Sequence, residues 1–282
     1  MTLTFSITFP KPMTPAQYLR DVIGLGKKRV HELRMNKAVT IDGTPLFFDH
    51  NVQKGTVVQL TTPLPPSSYT PWKTPLFIAK EDEHFAIIWK EQGWKTHPND
   101  PKETNTCMNA VAYHIDSPYV EHVHRLDEET EGWLLLAKNP IAKAVADVLL
   151  EDQQIERVYE AYVDGNVRPA IGSFTGNIKK DRHSNRQVVT THGGKQAQTD
   201  YVLLGYDPVR NESHVRLQLQ TGRTHQIRVH LAHAGYPIVG DTLYNEQTHV
   251  RTMRLQATEL TFTHPWTNEK WHVDLSNYAP HK

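Results

Sequence analysis

A single cysteine, Cys107, stands in 282 residues, which excludes an internal disulfide and any metal or iron-sulfur site built on several thiolates. A reducing, cytoplasmic compartment suits such a chain. No apolar run approaches the roughly 18 residues that cross a bilayer, and the opening MTLTFSITFPKP has neither the basic start nor the long apolar middle of a secretory signal. Also missing are GxGxxG, a Walker loop and any CxxC pair, so no nucleotide or redox cofactor is signalled. Net charge is absent as well: 31 Lys and Arg offset 31 Asp and Glu, whereas a polyanion partner ordinarily calls for cationic surface. That average conceals an asymmetry. Residues 1–60 carry eight Lys or Arg against four Asp or Glu, a balance of +4 that leaves −4 to the remainder, and Lys27, Lys28, Arg29 and Arg34 crowd into KKRVHELRMNK.

What is present fits a globular protein, with 38% hydrophobic residues and room for a large unit plus a small one. Residues 63–75, PLPPSSYTPWKTP, hold five prolines and read as a stiff, extended tether, since proline suits neither helix interior nor central strand. This divides the chain into 1–62, a linker at 63–75, and 76–282. In the first part TPAQYLRDVIGL and KKRVHELRMNK read as two short helices, followed by strands AVTIDGTPLF and TVVQL around the Asp42-Gly43 turn. Beyond the linker, LFIAK and HFAIIWK flank a polar turn as a hairpin, and TNTCMNAVAYHI reads as a helix. Asn139 caps a helix over 139–153, with Pro140 at its first position and Ile141, Val145, Val148 and Leu149 on one face. RVYEAYVDG, TDYVLLGY and SHVRLQLQ are strand-like, the last alternating Val215, Leu217 and Leu219 against polar neighbours. Strand groups joined by short turns, with helices appearing singly, predict an α+β fold: a largely antiparallel mixed sheet with a central cleft, preceded by a small α/β module.

The most informative stretch is HRLDEETEGWLLLAKN at 124–139, an Asp flanked by Arg and His ahead of a turn and an apolar strand, joined downstream by TGRTHQIRVHLAHAGYPIVGDTLY at 221–244. Together with the Tyr-x-Ala-x-Val pattern at Tyr159, these blocks resemble the RluA-type pseudouridine synthases. The basic helix pair and hairpin of residues 1–62 resemble the ribosomal-protein-S4-type RNA-binding module. The resemblance implies an RNA uridine isomerase acting on ribosomal or transfer RNA, with no cofactor, no metal, no obligate protein partner and a monomeric state.

Within that resemblance Asp127 is the catalytic aspartate, attacking or assisting at sugar or base, and it must be ionised. A guanidinium beside it would keep it so; the family motif puts that group at Arg228, with Arg223 in reserve. Tyr159 is expected to stack on the uracil and to reach sugar or base with its hydroxyl. Arg125 and Asp127, two residues apart, point to one face of an extended chain, so Arg125, with His124 and Arg223, is expected on the RNA side. A salt bridge of Arg125 to Glu121 or Glu128 is the structural alternative. Lys27, Lys28, Arg29 and Arg34 are expected to meet phosphate, although a solvated helix would carry the same charges. The basic stretch IKKDRHSNRQ reads as an exposed hairpin loop that suits backbone contact or plain solvation.

His122, His124, His225, His230 and His233 invite a metal reading, but positions 225 and 230 of a helix lie roughly 140° apart, so a core or surface role is expected instead. Three positions depart from the family pattern: Glu131 after Thr130, Glu91 after Lys90, and Gln256. With Glu128 and Glu129, Glu131 is expected to point to solvent, because carboxylates facing the pocket would repel phosphate. The acidic turn also admits a different class of protein, a non-catalytic RNA binder on a synthase scaffold.

Overall fold

The computed structural model describes residues 1–182, 184, 186–278 and 280. β1 (Thr2–Thr8) turns Phe5 and Ile7 inward and Thr4 and Ser6 outward, and pairs antiparallel along its length with β4 (Val57–Pro63). β1 is absent from the sequence reading because its polar positions are Thr and Ser and its partner strand lies far along the chain. Thr14 caps α1 (Pro15–Gln17): its hydroxyl accepts from the Gln17 N–H at 3.1 Å, while the Gln17 side chain accepts from the Thr14 N–H at 2.9 Å. One π turn, Tyr18–Val22, continues it, and α2 (Lys27–Met35) follows. β2 (Val39–Ile41) and β3 (Thr44–Pro45) meet at Asp42 and Gly43, both at positive φ, which completes a sheet of order β1-β4-β2-β3.

The second unit is a sheet of eleven described strands. Its first hairpin is β5 (Ile78–Glu81) with β6 (Phe85–Lys90), flanked by β7 (Glu121–His122) and β8 (Glu131–Ala137). Then come β9 (Glu156–Asp164), β10 (Ile171–Lys180) and β11 (Gln187–Thr190). β12 (Lys195–Asp207), β13 (Glu212–Leu219), β14 (Leu255–Thr263) and β15 (Lys270–Asp274) complete it. The spatial order is β11-β10-β12-β13-β9-β14-β8-β6-β5, with β15 on β14 and β7 on β8; β8 and β14 run parallel and the other pairs antiparallel. Gly132 makes that parallel crossing possible. At φ +132 a Cβ there would lie 2.4 Å from the Ala257 carbonyl oxygen, so the motif glycine is a steric requirement.

Among the described residues three helices cover this sheet: α3 (Cys107–His114), α4 (Pro140–Glu151) and α5 (Gln226–His233). The Asn139 side chain accepts from the Ile141 and Ala142 N–H groups at 3.1 and 2.8 Å, so α4 starts where capping chemistry predicts. The fold is α+β. Among the described residues no helix is long and apolar enough to cross a membrane.

The proline-rich segment is extended, but it is no free tether. Ser67 N–H donates to the Pro118 carbonyl, the Asn109 side chain donates to the Thr70 carbonyl and Trp72 N–H donates to the Asn109 carbonyl, which straps the segment along α3. Nor does the small unit stand apart. Its core of Phe5, Ile7, Leu19, Ile23 and Leu60 takes in Ile141 and Val145 of α4, and a Cβ on Gly24 would meet the Val148 methyl at 2.2 Å. The two sheets therefore share α4 as a common wall.

Candidate active site

Asp127 sits in the turn that feeds β8. The Thr96 hydroxyl clasps that turn, accepting from Leu126 N–H at 3.1 Å and donating to the Leu126 carbonyl at 2.7 Å. Beneath it Lys90, fully buried, donates to the carbonyls of Trp94, Glu91 and Glu128 at 2.6, 3.0 and 3.3 Å. Burial pulls its ammonium down to about 8, against the pull of nearby anionic groups including Asp127. The backbone around Asp127 is thus held by a cation and a hydroxyl, leaving the carboxylate itself free of that task.

The carboxylate, 23% exposed, accepts from Arg228 Nη1 at 3.2 Å. Arg228 in turn gives Nε and Nη2 to Asp241 in a bidentate pair, both at 2.8 Å. Burial opposes the charge on Arg228, but hydrogen bonds and the fields of Asp241 and Asp127 outweigh it and hold the guanidinium more firmly cationic than usual. Asp241 was not foreseen; it is wholly buried and also accepts from the N–H groups of Leu243 and Tyr244. Its signal was the Gly-Asp at the end of the second block. The reserve candidate, Arg223, is exposed and donates to the Gln196 carbonyl at 3.0 Å, with no ion pair to Asp127.

Three depressions of about 60, 290 and 750 Å³ share Arg125 and Asp127 in their walls. Tyr159, 4% exposed on β9, lines the smallest and the largest. Burial raises its hydroxyl, with the Arg157 guanidinium opposing and the Asp127 charge adding, so the phenol stays protonated. Arg125 is exposed and, among the described residues, makes no ion pair with Glu121 or Glu128. His124 is different: at 7% exposure both ring nitrogens are buried and unpartnered, and burial holds the ring neutral, well below its ordinary range. The residue nevertheless contributes to the wall of the 750 Å³ depression.

Glu128 and Glu129 are exposed on the rim of the 290 Å³ depression, while Glu131 accepts from Gln256 at 2.9 Å across the parallel strand pair. Two of the three departures from the family pattern therefore meet each other rather than the pocket. His225 does not lie on the helix as the wheel argument assumes: it precedes α5 in a left-handed conformation, φ 54, and its Nε2 lies 3.9 Å from Asp127 Oδ2. His230 is a core residue bonded to Thr199. Among the described residues no group of three His, Cys, Asp or Glu is placed to hold a metal.

In the small unit Lys27, Lys28 and Arg34 are exposed, whereas Arg29 is half-buried against Glu32 and Thr62. Arg20, Lys27, His31 and Arg34 line a groove of about 440 Å³ that also contains Val30 and Phe48. The basic hairpin is shorter-looped than expected, because β10 continues through Lys180; Arg186 beyond it pairs with Glu246 at 3.1 Å. His183 and Asn185 of that stretch lie outside the described residues.

The family model for RNA pseudouridylate synthase matches residues 84–233, and that for the RluD ribosomal pseudouridine synthase N-terminal domain matches 4–58. An RNA pseudouridine synthase of Bacillus subtilis, YhcT, is 36% identical over 245 residues, covering 85% of this chain and 77% of its own. The ribosomal large subunit pseudouridine synthase D of Pseudomonas aeruginosa is 35% identical over 221 residues, 71% of this chain and 68% of that protein. Among solved structures, human RNA pseudouridylate synthase domain containing 1 superposes with a TM-score of 0.60 at 25% identity, over 77% of this chain and 89% of that one. A carboxylate and a guanidinium joined across 101 positions, both inside the matched span, agree with these likenesses, and the chain belongs to the RNA pseudouridylate synthase family of isomerases.

Proposed function

We propose that this protein converts specific uridines of ribosomal RNA to pseudouridine in the cytoplasm, with Asp127 as catalytic carboxylate. The reaction breaks the bond from ribose C1′ to uracil N1 and joins C1′ to C5; C5 loses its proton and N1 gains one, so no oxidant or external group is needed. The observation that carries this reading is the Arg228 contact on Asp127 at 3.2 Å, at the shared wall of three depressions and beside Tyr159. A carboxylate paired with a guanidinium in a partly water-excluded cleft suits attack or assistance at an electron-poor sugar or base. Arg228, anchored by its bidentate pair with Asp241, holds its remaining N–H groups toward the Asp127 carboxylate. Tyr159 offers a flat ring for the uracil and a protonated hydroxyl able to donate to it.

A uridine in folded RNA must leave its stack, at a cost of a few kcal/mol, and the exposed Arg125 and Arg223 at the mouth of the largest depression are suited to gripping the displaced phosphate. The large-subunit relatives favour ribosomal over transfer RNA as the substrate, and the S4-like unit, chiefly through Lys27 and Arg34 of its groove, serves as the docking arm. The test uses RNA carrying tritium at uracil C5, as a large-subunit ribosomal transcript and, separately, as transfer RNA. Label release from the ribosomal transcript that disappears in Asp127→Asn is expected; release by Asp127→Asn at the unaltered rate would remove the carboxylate from the chemistry. Release from transfer RNA alone would reassign the substrate.

A further inference from the structure

His225 has no part in the reaction just outlined, yet its ring is among the side chains nearest the Asp127 carboxylate. Its Nδ1 lies 3.0 Å from the Tyr244 hydroxyl, and that hydroxyl accepts the backbone N–H of Gln187, the first residue of β11, at 2.7 Å. The guanidinium of Arg228 sits over the Tyr244 ring, 5.3 Å from its centre. We infer that His225 and Tyr244 are positioning residues for Asp127: Tyr244 locks the imidazole with Nε2–H turned to the carboxylate, and the β10–β11 hairpin holds Tyr244. This rests on the reading of Asp127 as the catalytic group.

The proton inventory decides which way the ring faces. A phenol has one hydrogen, and burial keeps Tyr244 protonated despite the opposing Gln187 bond. Its oxygen already receives the Gln187 N–H, so its own hydrogen is directed to His225 Nδ1, which must then be the accepting nitrogen. A neutral imidazole carries its remaining hydrogen on Nε2, the nitrogen 3.9 Å from Asp127 Oδ2. Electrostatics agree, because an N–H and not a lone pair then faces the anion. Neutrality is also the favoured state: burial, Arg228 and Arg125 oppose protonation of His225, while Asp127 and Asp241 favour it, and the net shift is downward.

At 3.9 Å the contact is too long for a hydrogen bond, so it orients the carboxylate without tying up the oxygen, and is free to shorten when substrate enters. The left-handed backbone at His225, φ 54, is an uncommon conformation for a non-glycine residue, and it is what aims the ring off the α5 axis toward Asp127. The last link is a backbone N–H of β11, and Arg186 next to it pairs with Glu246, so the basic hairpin is joined to the segment bearing Tyr244 at two points.

The experiment measures tritium release by the full chain from the ribosomal transcript across pH, beside Asp127→Asn. Tyr244→Phe keeps the ring over Arg228 and removes the hydroxyl; His225→Gln keeps a neutral N–H donor and cannot titrate. For Tyr244→Phe the expected result is a fall in kcat of roughly tenfold with KM within about twofold, a smaller loss than removal of an oriented donor itself. Its acid limb should also move to higher pH, because the imidazole no longer accepts a bond that favoured its neutral form. His225→Gln should lose that imidazole limb while keeping more activity than His225→Phe. A uniform fall in kcat for Tyr244→Phe with an unmoved limb, or unaltered kinetics in both variants, overturns the inference, provided thermal unfolding shows them folded. Such a result alongside an inactive Asp127→Asn refutes the positioning role alone, whereas an active Asp127→Asn refutes the reading beneath it.

Discussion

Arg228 divides its donors between two carboxylates of unequal exposure, 0% for Asp241 and 23% for Asp127, and the inequality separates stability from chemistry. Removing the guanidinium in Arg228→Ala strands a fully buried carboxylate, which should cost about 3–5 kcal/mol of folding free energy. Asp127→Asn leaves the bidentate Arg228–Asp241 pair intact, so its unfolding free energy from urea titration should stay within about 1 kcal/mol of the parent, while label release is lost. Comparable destabilisation in the two variants would mean that Asp127 is part of the structural pair after all. Sequence pattern sufficed to pair Asp127 with Arg228, which the structure brings into contact, because each lies inside a dense motif. It did not identify Asp241 as the guanidinium's second partner, since nothing in linear order says which carboxylate an arginine will choose. His225 was misread for a sharper reason: the helical-wheel argument assumed it lay on α5, whereas it precedes the helix at positive φ, where 100° per residue no longer applies.

Elements with a strong local signal were legible. Asn139 and Pro140 announce α4, the apolar run of β8 announces a central strand, and Val215, Leu217 and Leu219 mark the inner face of β13. Pairings across long sequence distance were not, among them β1 with β4 and the parallel contact of β8 with β14 at Gln256 and Ala257. α2 shows how structure refines a charge run. Lys27 and Arg34 face the groove that holds Arg20, His31 and Phe48, Lys28 lies outside it, and Arg29 is engaged with Glu32. Deleting residues 1–62 would strip the cover from Ile141 and Val145 and confound binding with misfolding, so charge reversal is the cleaner test. Lys27→Glu and Arg34→Glu should each weaken RNA binding and flatten its log-log salt slope by about 0.9 per lost phosphate contact, with Lys28→Glu changing it less. Equal salt slopes in all three variants would take the groove out of the RNA interface.

At the scale of the whole molecule, several imidazoles are buried where they must stay neutral. His84 lies at the joint between the two units, its ring 4.6 Å from Phe5 and its Nδ1 accepting from the Asn139 side chain at 3.0 Å, the same residue that caps α4. His230 bonds Thr199 beneath α5, and His122 stacks on His97 beside the cleft. Burial depresses all three to about 4, for His84 against the opposing field of Asp82. An imidazole whose folded pKa lies below its unfolded value of roughly 6.5 binds fewer protons in the native state, so its stabilising contribution is complete above pH 6.5. It is lost as pH falls from 6.5 through 4, by up to about 3 kcal/mol for each of the three. The urea midpoint should therefore drop steeply between pH 6.5 and 4. His84→Phe, which removes the group at the joint, should make that slope shallower than the parent's. An unchanged slope in His84→Phe would mean that the two units do not share α4 through a neutral imidazole, and that acid opens the fold elsewhere.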